Sequence, residues 1–101
     1  MDAAKKVHYH LITGHVYFHP KDDTEQVTSA LLNAISTTDD GKITVRELGR
    51  AQQVLQMQLF QRAGVDSVVV VDVIIGSVSH LGEMTPVEFY GEEAAKTATV
   101  N

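Results

Sequence analysis

The sequence predicts an α+β domain: a small antiparallel or mixed sheet, in the order β-β-α-α-β-α, with two main helices packed on one of its faces. Three observations lead there. Residues 7–19 read Val-His-Tyr-His-Leu-Ile-Thr-Gly-His-Val-Tyr-Phe-His, and residues 67–79 hold the apolar runs Val68 to Val71 and Val73 to Ile75; both segments read as strand. Between them, Val27, Ala30, Leu31, Ala34 and Ile35, and then Leu48, Ala51, Leu55 and Leu59, recur at helical spacing. A chain of 101 residues with 44% apolar residues fits one globular domain and argues against intrinsic disorder.

In the first strand segment the apolar residues change sides at Gly14: Val7, Tyr9 and Leu11 have one parity, Val16 and Phe18 the other. A turn at Thr13-Gly14 removes the conflict. It pairs Leu11 with Val16 and Tyr9 with Phe18 on one face, and His8 with His19 and His10 with Tyr17 on the other. A single long strand bulged at Gly14 is the alternative. Asp23 with Gln26 is a capping box for a first helix over 24–35. The second helix, over 45–63, has fuller signals. Thr44 and Glu47 form a capping box, Ile43 and Leu48 a hydrophobic staple, and Gly64 a C-terminal stop. The strand over 67–79 is apolar on both faces apart from Asp72, which places it centrally or under two covers. Thr85-Pro86-Val87-Glu88 opens a short helix over 86–91. The domain is read as 1–91, and 92–101 as a frayed tail.

Composition removes several function classes. Without cysteine there are no disulfides, zinc ribbons or thiol chemistry. A formal charge of −5 disfavours direct binding to nucleic acid. The longest apolar runs are far too short to cross a membrane, and Met1 to Lys6 is too short and polar for a signal peptide, so the expected location is cytoplasmic. Ser77, Ser79 and His80 lie close in sequence, but no Gly-x-Ser-x-Gly elbow is present, and no glycine-rich loop opens a helix. Ser36 to Glu47 echoes a calcium loop at Asp40, Gly41, Ile43 and Glu47, yet its first and third positions are serine and threonine. No catalytic or cofactor-binding residue is assigned.

Two constellations remain. His8, His10 and, with the hairpin, His19 share one sheet face, and Asp72 and His80 have the parity to join them. Imidazoles so placed suit zinc, with His8, His10, His19 and Asp72 as the ligand candidates. The same set suits proton sensing, or simply a solvated face. The second constellation is apolar. Val68, Val70, Ile74 and Val78 form an even-numbered row on the last strand, and Met57 and Phe60 lie off the inner stripe of the second helix. An uncovered row of this kind marks an interface, so a homodimer is expected, unless the helix from Pro86 folds back and Phe89 covers it. The reading that follows is a small acidic, non-enzymatic interaction module. It would be an accessory regulator or inhibitor that binds a protein or itself, of the kind found in phages and mobile elements. The alternative is a small metal- or ligand-binding protein that uses the histidine-lined face.

Overall fold

A computed structural model describes residues 5–91, so the tail expected over 92–101 lies outside the described residues. The element order is β1 (Val7–Pro20), β2 (Thr28–Thr38), α1 (Val45–Ala63), β3 (Val68–Met84) and α2 (Pro86–Tyr90). The strands form one antiparallel sheet in the order β2-β1-β3. The expected arrangement with two main helices on one face is therefore corrected: α1 is the single long helix, and most of the structure is sheet.

The predicted helix over 24–35 is strand β2. Its apolar residues satisfy a helical stripe, but they also alternate, with Leu32 and Ala34 buried and Leu31 and Ile35 exposed. Pairing with β1 along its whole length decides the matter, from His8↔Thr38 to Phe18↔Thr28. The expected cap at Asp23 serves a turn instead. Its carboxylate accepts the Glu25 N–H at 3.2 Å, and the Asp23 N–H reaches the Pro20 carbonyl at 3.1 Å.

The hairpin at Thr13-Gly14 is also replaced. β1 runs straight through Gly14 and is the central strand. Its change of apolar side is real, because the first half gains a second cover on the face away from α1. Val16 and Phe18 meet α1, together with Leu32, Ala34, Leu55, Leu59 and Val73. Tyr9 points the other way and is buried under α2, where Phe89 stacks on it at 4.0 Å between ring centroids and Tyr90 meets it edge-on at 6.0 Å. Burial, and then Tyr90, raise the Tyr9 phenol above its ordinary pKa. Gly14 lets α1 come close: a Cβ there would lie 2.8 Å from the Ile74 carbonyl oxygen and 2.9 Å from Leu55 Cδ1.

β3, expected at the centre or under two covers, is an edge. It spends 17 residues beside the 14 of β1, and the register slips at three places. Val71, Gly76 and Leu81 are the residues left without a partner, so β3 carries three bulges. The bulge expected at Gly14 thus has its extra residue on the neighbouring strand.

α1 occupies the predicted span. Glu47 reaches back to the Thr44 N–H at 3.0 Å and takes the Thr44 hydroxyl, contacts that hold its carboxyl below the usual carboxylate range. Gly64 ends the helix at φ +92°, with its N–H on the Phe60 carbonyl at 2.8 Å. α2 begins with a second capping box, between Thr85 and Glu88.

Candidate functional site

The groups best placed for chemistry gather where β2 leaves the sheet toward α1. Residues of even number in β1 face α1, so His8 and His10 share one face as the alternation predicts, but it is the helix side and not the expected solvent side. Their partners across β3 are Glu83 and His80, with the Leu81 bulge between them. Three imidazoles and one carboxylate thus form a block on two neighbouring strands. His8 Nδ1 lies 2.9 Å from His80 Nε2, and His8 Nε2 lies 3.4 Å from Glu83 Oε2. A neutral His8 with its proton on Nε2, toward Glu83, has Nδ1 free to accept from the His80 N–H.

His10 is 3% exposed and its Nε2 is 3.1 Å from Thr38 Oγ1. Thr38 is itself fixed, because its hydroxyl oxygen accepts the Gly41 N–H at 3.1 Å. Gly41, at φ +80°, lays the loop directly on His8, where a Cβ would stand 3.1 Å from Nδ1. Burial, followed by the neighbouring charges of His80 and His8, holds His10 below the usual imidazole pKa, so it is neutral at pH 7. Among the described residues, no group of three His, Asp or Glu side chains stands with its donor atoms already gathered for a metal ion.

The other expected ligands lie elsewhere. His19 is at the far end of β1, of opposite parity, with Nδ1 bonded to the Pro20 carbonyl oxygen at 2.7 Å. Asp72 pairs with Tyr17 on the face away from α1 and accepts the Val73 N–H at 2.8 Å. His80 keeps company with His8 and His10 but not with Asp72, because the Gly76 bulge reverses the parity between the two. Thr38 and Glu83 were not read as site residues. Glu83 lies beyond the predicted end of the strand, and nothing local to Thr38 marks its contact with His10.

The apolar candidates are also dispersed by the bulges. Val68 and Val70 pack against the core under α1, and Val78 stands opposite Ile12 on the same face but exposed. Ile74 pairs with His15 on the outer face, and Met57 is exposed on α1 while Phe60 is half-buried. The helix from Pro86 does fold back with Phe89, but over Tyr9 on the outer face. Most of that outer face has no cover among the described residues: Leu31 is 61% exposed, Ile74 49% and Ile35 43%.

No family model matches the chain, and the comparisons with curated proteins and with solved structures find nothing similar to it. No described helix is long and apolar enough to cross a membrane.

Proposed function

We propose that this chain is a non-enzymatic interaction module that works through self-association, as a small accessory regulator or inhibitor would. The carrying observation is the β2 side of the outer sheet face, where Leu31 and Ile35 are left wet. Apolar groups so grouped on a small domain mark a surface that another chain covers. The shape agrees. The described fold extends over 49 × 26 × 17 Å with a radius of gyration of 15.8 Å, against about 13 Å for a compact domain of this length. Sedimentation equilibrium at tens of micromolar tests the reading. A dimer or higher oligomer is expected, and a monomer across that range overturns it.

The histidine block favours a second reading, a site for a zinc-class ion on His8, His10 and His80. Two imidazoles on one tetrahedral zinc bring their ring centroids to roughly 5 Å. The His8–His80 and His10–His80 centroids both lie at 5.2 Å. Zinc would replace the bond between His8 and His80, while Glu83 and Thr38 orient the rings from behind. A zinc titration followed by imidazole NMR should move these three together and leave His15 and His19 in place. Equal responses at all five histidines, or none, reject the site.

A further inference from the structure

The two edges of the sheet are protected unequally. β3 is broken by bulges at Val71, Gly76 and Leu81. Between the first two of these, the Val73 N–H goes to Asp72 Oδ1 at 2.8 Å and its carbonyl takes Gln52 Nε2 from α1 at 3.0 Å. Bulges and side-chain caps are the usual devices that stop an edge from pairing with another chain.

β2 has almost none of them. Its 11 residues, Thr-Ser-Ala-Leu-Leu-Asn-Ala-Ile-Ser-Thr-Thr, contain no charge and no proline, although the chain carries a formal charge of −5. Its register with β1 is unbroken. One side chain guards it: Gln58 of α1 donates to the Asn33 carbonyl at 2.8 Å. That carbonyl is on the side of β2 away from β1, and so, by the period of two, are the N–H and carbonyl groups of Leu31 and Ile35.

We infer that β2 pairs antiparallel with β2 of a second copy about a two-fold axis at Asn33, which joins two sheets into one of six strands. The proposal rests on the self-association reading and names its partner and register. The strand is self-complementary about that axis. Thr28 meets Thr38 of the copy, Ser29 meets Thr37, Ala30 meets Ser36, Leu31 meets Ile35, Leu32 meets Ala34, and Asn33 meets itself. Every pair matches apolar or small with apolar or small, hydroxyl with hydroxyl or alanine, or, at the axis, amide with amide, and no like charges face each other. Leu31 and Ile35 from both copies make one apolar row across the junction. Gln58 is half-buried, and its amide swings aside or shares the second lone pair of the carbonyl. The helices do not collide. Each central strand is three strand spacings from its mate, about 14 Å, which exceeds the 8–10 Å of packed helices. Val54, four residues before Gln58 and so on the same flank of α1, lines the gap between them.

The absence of cysteine makes a clean test. Asn33→Cys places two thiols directly opposite at a hydrogen-bonded pair, where Cα atoms lie about 5.5 Å apart, within disulfide reach. Mild oxidation should convert most of the protein to a cross-linked dimer. Ile35→Cys should not cross-link, because its two copies are offset by roughly 14 Å along the strands. Sedimentation of Asn33→Lys and Ile74→Lys gives the second arm. Asn33→Lys sets two lysines face to face and should raise the dimer dissociation constant at least tenfold, while Ile74→Lys on the far strand leaves it within twofold. A wild-type monomer overturns self-association and this pairing together. A wild-type dimer that Ile74→Lys breaks and Asn33→Lys does not, with no cross-link in the Asn33→Cys variant, keeps self-association and overturns the edge. Cross-linking in the Ile35→Cys variant but not in Asn33→Cys overturns the register.

Discussion

The two faces of the sheet are built from the same strands and stabilised by different means. On the inner face a 19-residue helix lays Ala51, Leu55 and Leu59 on Val16, Leu32, Ala34 and Val73, and the junction is dry. On the outer face a 5-residue helix covers Tyr9 and little more. A helix of 19 residues spans about 28 Å and one of five about 8 Å, so the second has no means of covering a strand of 14 residues, roughly 46 Å long. The fold is therefore held from one side. What happens on the other side is free to serve association.

That contrast is open to direct attack. Leu55→Ala should have the largest effect, about 2–5 kcal/mol in denaturant unfolding, because the side chain is fully buried at the centre of the inner layer. If the loss were under 1 kcal/mol, α1 would not be the main cover. Gly14→Ala comes next, at about 1–3 kcal/mol, since the added methyl meets the Ile74 backbone as well as Leu55 and only the latter yields easily. Phe89→Ala removes the stack on Tyr9 and should cost about 1–2 kcal/mol, with a change in tyrosine fluorescence. A value above that for Leu55→Ala would invert the ranking of the faces.

The smallest effect is on pH dependence. The His10 pKa is lowered in the folded state, so the unfolded chain binds more protons between that value and about 6.5. Stability from this residue is fully present above about pH 6.5 and declines as pH falls toward the folded pKa. The slope of unfolding free energy against pH in that window should flatten in His10→Gln. An unchanged slope would mean that other groups carry the titration.

Much of α1 was legible because its signals are local: Thr44, Glu47 and Gly64 act within a turn of themselves. The strand β2 was not, since Ala30, Leu31, Ala34 and Ile35 fit a helix and a two-faced strand equally well. The choice is made by β1, which lies up to 30 positions away in the pairing His8↔Thr38. In β1 the switch of apolar side was visible, but its cause, a second cover on the face away from α1, depends on where Phe89 returns. The histidine site was half legible. His8 and His10 follow from alternation alone. His80 and Glu83 depend on bulges in β3 that change which side chains look inward, and within the valine-rich run no residue announces where the slip occurs.

Those bulges also bear on how the chain can change in length. β1 and β2 share one unbroken register, so the loss of a single residue from either turns every side chain beyond it to the wrong face. β3 is already divided into stretches that end at Val71, Gly76 and Leu81, each with a residue to spare. A deletion at Gly76, or an insertion beside it, is absorbed between neighbouring slips and leaves the distant stretches as they were. Length variation among descendants of this sequence should accordingly collect in its last strand, while the first two keep their residue count.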